Sequence, residues 1–407
     1  MSMNTAISGL NAATSDLNTL GNNVANASTN GFKLSRAEFA DVYPVSGAGS
    51  SANTIGSGVK LAAVAQQFAQ GNINFTNNNL DLAVNGQGFF RLSDKGSIVY
   101  SRAGAFGIDR QGYISNSAGL HLTGYLADAT GSITGALGDL QLSMADIAPN
   151  ATAKISVGVN LNASAPAPAL AFNPANAATY NNATSTTVYD SLGTTHLSTM
   201  YYAKTAANTW NTYLYVDGTL RGGPDSLGFT NLGALATVNG VAVPPGTITS
   251  TSFNPGTGAA NMTLTQDYSQ TTQFGSPFGV NSLTQDGYTT GRLSGVDIDD
   301  KGIVFARYSN SQSRAQGQVV LTNFANTQGL RPLGNTNWTE TPKSGVALTG
   351  APNTASLGVV QSGALENSNV NLTEQLVALI TAQRNFQANA QVITTENAIT
   401  QTIIQLR

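Results

Sequence analysis

Toward the end of the chain, Leu372, Leu376, Leu379, Gln383, Phe386, Ala390, Ile393, Asn397, Thr400, Ile404 and Arg407 recur at alternating steps of four and three. A spacing of 3.5 residues sets all of them on one narrow seam of a helix. Asn371, with Glu374 three positions on, predicts a capping box at its start. No Gly or Pro interrupts the run, which would extend about 54 Å as helix. The beginning of the chain repeats the pattern: Met3, Ile7, Leu10, Thr14, Leu17, Gly21, Val24 and Ser28 step the same way. Ala6, Ala13, Leu20 and Ala27 run alongside at seven-residue intervals, and Asn30-Gly31 supplies a stop. Neither helix buries its own seam, so the pattern predicts that the two ends pair and that the rest of the chain loops out between them. Two separate core-packing helices would show the same period.

Charge favours the paired reading. Asp16 is the one charged residue before Lys33, and the last segment carries only Glu374, Arg384, Glu396 and Arg407. Its remaining positions are mostly amides and hydroxyls, such as Gln375, Asn385, Asn389 and Gln405. A solvated helix normally has a charged outer face; a polar but uncharged one suits a helix surrounded by protein.

Between the ends the period is two. Leu80, Leu82 and Val84 alternate up to Asn85-Gly86, Phe89 to Leu92 reach Asp94-Lys95-Gly96, and Phe106 and Ile108 run into Asp109-Arg110-Gln111-Gly112. Short strands with Gly-containing turns predict an antiparallel β-domain. Near Ala148-Pro149 the character of the chain changes: an alternating strand at Ile155, Val157, Val159 and Leu161 precedes an Ala/Pro-rich stretch. Beyond it, Trp210, Thr212, Leu214 and Val216 face opposite to Asn211, Tyr213 and Tyr215. From about Thr284 the short strands and Gly-containing turns of the first block return. The expected fold is therefore mainly β and multidomain: two antiparallel β-domains, one inserted in the other, carried on paired N- and C-terminal helices of coiled-coil type. Residues 1–33 with 364–407 form the helices and 34–70 with 324–363 the connecting segments, with 47–52 small and flexible. Residues 71–147 with 285–323 form an inner β-domain, and 148–284 the inserted outer one.

Composition narrows the classes. Charged residues are 10% and the net charge is −3, with no basic patch, so nucleic acid is not an expected partner. There is no Cys, hence no disulfide and no thiolate metal site. No apolar run reaches the roughly 18 residues of a membrane span, and no membrane insertion is expected. The opening MSMNTAISGLNAATS lacks the basic and apolar regions of a conventional secretory signal.

Candidate chemistry is sparse. His121 and His196 lie in strand-like segments without a companion motif, which reads as a satisfied polar role on a sheet. Asp297-Ile298-Asp299-Asp300-Lys301-Gly302 begins like a calcium loop, but Lys301 and then Tyr308 stand where ligands are needed, so a β-turn is expected. Gly256 to Asn261 lacks the third Gly of a dinucleotide loop, and Asp225, Asp267 and Asp286 are scattered. The expectation is a protein that is not an enzyme and needs no cofactor or metal.

The most specific stretches lie at the ends. Asn22-Asn23-Val24-Ala25-Asn26-Ala27-Ser28-Thr29-Asn30-Gly31-Phe32-Lys33 resembles the N-terminal signature of the bacterial flagellar rod and hook family. Leu365-Glu366-Asn367-Ser368-Asn369-Val370-Asn371-Leu372 and Gln383-Arg384-Asn385-Phe386-Gln387-Ala388-Asn389-Ala390 resemble its C-terminal signature. Val84 to Phe90 and Tyr100 to Phe106 are similar to its core β-domain. One departure is Asn371, where members commonly carry Asp; Asn caps a helix nearly as well. The large insert and the ending Thr402 to Arg407 resemble the hook branch.

The resemblance implies a structural subunit of a flexible tube that joins rod to filament and transmits motor torque. It implies partners in further copies of the chain, in flagellar rod, hook-cap and hook–filament junction proteins, and in the flagellar type III export apparatus. It implies a place in the flagellar hook, outside the cell, reached without a cleaved signal peptide. It makes Ile7, Leu10, Leu17, Val24, Leu372, Leu376, Leu379, Phe386, Ile393 and Ile404 the polymerisation seam. Asn22, Asn23, Asn26, Gly31, Phe32, Lys33, Gln383, Arg384 and Asn389 become the family motif. A distal rod subunit would share the ends but lack the second β-domain. A secreted β-rich adhesin or glycan-active protein would share the Asn/Thr/Gly-rich middle without the paired seams.

Overall fold

The computed structural model describes residues 3–43, 56–256 and 258–405. The expected flexible stretch 47–52, Thr257 of the Gly256 to Asn261 loop, and the final Leu406 and Arg407 lie outside the described residues. Two helices stand at the ends, α1 over Met3–Ala25 and α2 over Leu372–Gln405, with strands between them. The chain divides into two compact units, one of Met1–Met144, Gly295–Arg307 and Ser313–Arg407, the other of Ala145–Ser294 and Tyr308–Gln312.

In the first unit α2 starts as its cap residue dictates: the Asn371 side chain accepts from Thr373 N at 3.1 Å and Glu374 N at 3.4 Å. α1 ends at Ala25, earlier than the Asn30-Gly31 stop implies, because residues 26–31 form turns instead of continuing the helix. Gly31 sits at φ +70°, and a Cβ there would stand 2.5 Å from Ala103 N, so this position admits only glycine comfortably.

The first unit's main sheet has thirteen strands and runs through Ser313–Val319, His121–Ala127, Phe89–Asp94, Ser97–Ser101, Asn337–Thr339 and Arg331–Gly334. Period-two alternation sends neighbours to different cores. Phe90 and Leu92 pack with Leu82, Val84, Leu122, Val304 and Val319. Phe89 packs with Tyr100, Phe324, Leu330 and Trp338, joined by half-buried Phe68.

The segments expected as connections carry strands. Ser35–Asp41 and Val59–Gln66 form an antiparallel pair. Arg331–Gly334, Asn337–Thr339 and Leu348–Gly350 extend the main sheet, and Val359–Ser362 pairs with Leu82–Asn85. Each of these last four is three or four residues long, too short for alternation to register against a Gly/Asn/Pro-rich background.

The second unit holds a six-stranded antiparallel sheet, from Asn182–Tyr189 through Thr195–Ala206, Thr209–Val216 and Thr219–Phe229 to Leu235–Val238 and Val241–Ala242. Trp210, Thr212, Leu214 and Val216 are the buried set of Thr209–Val216. A five-stranded sheet surrounds Lys154–Asn162, which pairs antiparallel with Gly279–Gln285 but parallel with Thr265–Asp267 and Thr272–Phe274. That strand is buried along most of its length rather than on alternate residues, as strands with parallel neighbours commonly are.

Candidate functional site at the meeting of the chain ends

α1 and α2 lie antiparallel. Asn23 Nδ2 donates to Gln375 Oε1 at 3.0 Å, and fourteen residues before Asn23 Gly9 faces Asn389, where a Cβ on Gly9 would sit 2.5 Å from Asn389 Oδ1. The fully buried positions are Ala6, Ala13, Leu20 and Asn23 on α1 and Gln375 and Ala382 on α2. Small side chains on facing stripes let the two backbones approach closely, and the amides of Asn23 and Gln375 satisfy each other inside the contact.

This stripe is displaced from the four-three seam of large residues. Leu10, Leu17, Val24, Leu379, Phe386 and Ile393 flank it half-buried. Ile7, Leu372, Leu376 and Ile404 are 38%, 47%, 45% and 67% exposed, so their apolar surface is uncovered within the chain. At the Asn23–Gln375 register Met3 stands opposite about Thr395, and the final turns of α2, with exposed Ile399 and Ile403, run past the described start of α1.

The family-motif residues divide into two groups. Asn23 makes three hydrogen bonds to two residues, donating to Ser35 O at 2.7 Å and to Gln375, and accepting from Ser35 N at 2.9 Å. Asn26 closes the turn after α1, donating to Asn22 O at 2.9 Å and accepting from Thr29 Oγ1 at 3.2 Å. Gly31 N donates to Glu366 O at 2.8 Å. Asn22, Asn26, Phe32, Lys33 and Trp338 line one groove of about 370 Å³. Gln383 and Arg384, by contrast, are exposed on α2, and Asn389 lies half-buried against α1.

Lys33 leads to a buried charge cluster that the sequence reading missed. Its Nζ donates to Glu366 Oε1 at 2.7 Å and to Ala69 O at 2.8 Å. Glu366 Oε1 also accepts from Gly71 N at 2.8 Å, and Oε2 from Arg102 Nη1 at 3.1 Å. One carboxylate thus ties the turn after α1, the segment before Ile73–Phe75 and the β-domain to the approach to α2. Burial pushes the Lys33 ammonium below its usual pKa; Glu366 opposes that shift and Arg102 adds to it. Burial likewise lowers Arg102, with Glu366 opposing. Asn369 reinforces the junction, accepting from Leu34 N at 2.8 Å and donating to Gln67 O at 2.9 Å. The available signal was the rarity of charge: Lys33 is the first cation of the chain, and Glu366 is the one charged residue between Lys343 and Glu374.

Both histidines are held by carboxylates. His196 Nδ1 lies 2.6 Å from Asp217 and Nε2 3.4 Å from Asp190. Burial alone would lower its pKa, but the two aspartates outweigh it and raise His196 above ordinary imidazole. His121 Nδ1 lies 3.0 Å from Asp139, and its ring stacks on Tyr113 with centroids 4.5 Å apart. Asp299 forms the expected turn, accepting from Lys301 N and Ile303 N at 3.0 and 2.8 Å. Among the described residues no group of three or more His, Asp or Glu is placed to hold a metal.

Comparison with known proteins gives matches along the chain. Residues 3–33 match the flagella basal body rod protein family, and 83–160 the flagellar hook protein FlgE/F/G D1 domain. Residues 160–288 match the flagellar basal body protein FlaE D2 domain, and 361–406 the flagellar basal body rod FlgEFG protein C-terminal family. The flagellar hook protein FlgE of Escherichia coli K12 is 39% identical over all of both chains. That of Borreliella burgdorferi is 31% identical over all of this chain and 99% of its own. Flagellar hook protein FlgE2 of Helicobacter pylori, a solved structure 14% identical, shares the fold at a TM-score of 0.54, over 72% of this chain and 100% of that one.

Proposed function

The chain belongs to the flagellar hook protein family and is a structural subunit of the hook, and from that premise we propose that its terminal helix pair polymerises the subunit into a flexible tube. The tube joins rod to filament and carries motor torque between them. Further copies of the chain pack on the helices, while rod, hook-cap and hook–filament junction proteins meet the two ends of the tube. Subunits reach the outside of the cell through the flagellar type III export apparatus, without a cleaved signal. Residues 71–147 with 285–323 serve as the inner β-domain and 148–284 as the outer domain inserted in it, with 34–70 and 324–363 connecting them to the helices.

The observation that carries the reading is the division of labour on the helices. Small residues such as Ala6, Ala13 and Ala382 close the intrachain contact, leaving Ile7, Leu372, Leu376, Ile380, Ile399 and Ile404 exposed on an almost uncharged surface. Full burial of a Leu or Ile side chain contributes about 1.5–3 kcal/mol, a gain available to each helix only against another subunit. Leu376→Asp tests this directly, because Leu376 is exposed and its replacement leaves the fold of the single chain intact. The purified full-length variant is expected to melt as the parent does and to form no tubes by negative-stain microscopy. Ordinary tubes from Leu376→Asp protein would refute the seam.

A further inference from the structure

The buried cluster contains two cations, Lys33 and Arg102, against one carboxylate, Glu366, and the three side chains are 0%, 5% and 0% exposed. Buried ions are normally matched one to one, so this arrangement leaves a surplus positive charge in a poorly solvated place. The Arg102 guanidinium donates from Nη1 to Glu366 and from Nη2 to Gly86 O at 2.8 Å, and its Nε, also buried, has no acceptor among the described residues. It stands 5.4 Å over the Phe89 ring. Arg102 and Phe89 belong to the wall of a cavity of about 290 Å³, with Phe68, Gln87, Asn323 and Phe324 around it.

We propose that this cavity is an anion site that receives the carboxylate of an acidic side chain from a second copy of the chain. An incoming carboxylate neutralises the surplus charge and gives Nε its acceptor as the side chains around it adjust, while the phenyl rings keep water from competing. The chain's own charges point to a second copy as the source. Asp and Glu number 21 against 18 Lys and Arg, and Asp94, Asp300 and Glu374 are exposed carboxylates outside any ion pair among the described residues. The choice of occupant rests on the polymer reading above; the anion chemistry does not.

Replacing Arg102 itself would strip Glu366 of a partner, so the test uses Gln87→Glu. Gln87 Oε1 accepts from Asn323 Nδ2 at 3.2 Å, a bond that Glu retains while fixing a carboxylate on the cavity wall. In the full-length chain, acetate is expected to raise the melting transition above that in chloride of equal ionic strength. Gln87→Glu is expected to melt higher than the parent and to lose the acetate effect. Extension of parent tubes by Gln87→Glu subunits should slow at least about tenfold, the scale of one lost charge-assisted hydrogen bond. Identical melting of the parent in acetate and chloride overturns the site. Acetate-sensitive melting with unchanged extension assigns a free anion and overturns the second-copy occupant. A parent chain that extends no tubes refutes the polymer reading and that occupant with it, and the acetate comparison still decides the cavity.

Discussion

Glu366→Gln is the sharpest probe of how the first unit is held together. The substitution keeps the shape of the side chain and its acceptor toward Gly71 N, but removes the negative charge shared by Lys33 at 2.7 Å and Arg102 at 3.1 Å. Both cations are then buried without an anion. Removing one partner of a buried ion pair typically costs about 3–5 kcal/mol, and here two cations lose the same partner. For a unit of this size each kcal/mol lowers the melting temperature by roughly 2–4 °C, so a fall of roughly 6–20 °C is expected. Calorimetry on the full-length chain reads it, and Lys33→Met combined with Glu366→Gln provides the control. With one cation gone the double variant should be less destabilised than the sum of the two singles, because the pair is coupled. A fall of about 2 °C or less, or strictly additive single and double variants, would show that Glu366 is not the electrostatic centre of the junction.

Gly31→Ala is expected to destabilise by well over about 1 kcal/mol, since left-handed backbone adds to a Cβ placed 2.5 Å from Ala103 N; thermal melting checks it, and an unchanged transition counts against the close approach. The second unit should show a pH window set by His196 and Asp217. Raised His196 contributes fully below about 6.5 and loses its contribution as pH rises through its folded-state value, whereas depressed Asp217 contributes above about 3.8 and loses it as pH falls through its own. Stability from this pair therefore peaks between those two values, and Asp217→Asn should flatten the profile measured by melting temperature against pH.

The sequence makes the helices legible because their period is carried by large side chains; on α1 the Ala6, Ala13 and Leu20 stripe is legible beside it, but on α2 the large residues hide the line of contact at Gln375 and Ala382. Ala6, Gly9, Ala13 and Ala382 score weakly as hydrophobic, yet close packing of two backbones requires small residues, so the intrachain stripe lies beside the conspicuous one. Alternation exposed the strand Thr209–Val216, where the run is long, whereas the division of Phe89 from Phe90 between two cores emerged only in the structure. Alternation found Lys154–Asn162 too, where Ile155, Val157, Val159 and Leu161 are buried, although not the burial of Gly158 and Asn160 between them, and it failed for the brief strands between 331 and 362. The Lys33–Glu366–Arg102 cluster was out of reach for another reason: its members are 333 and 264 positions apart in the chain, and no local window joins them.

That separation also fixes an order in time. Ile73–Phe75 pairs with Ala364–Glu366, Leu82–Asn85 with Val359–Ser362, and Lys33 waits for Glu366. A chain emerging from its N-terminus can bring together most of the second unit, the single run 145–294, while more than a hundred residues are still to come. The first unit has no such option. Ile73–Phe75 and Leu82–Asn85 stay without their partner strands, and Lys33 without its carboxylate, until almost the whole polypeptide exists, so closure of this unit is a terminal event, slowed by the long loop that must first be spanned.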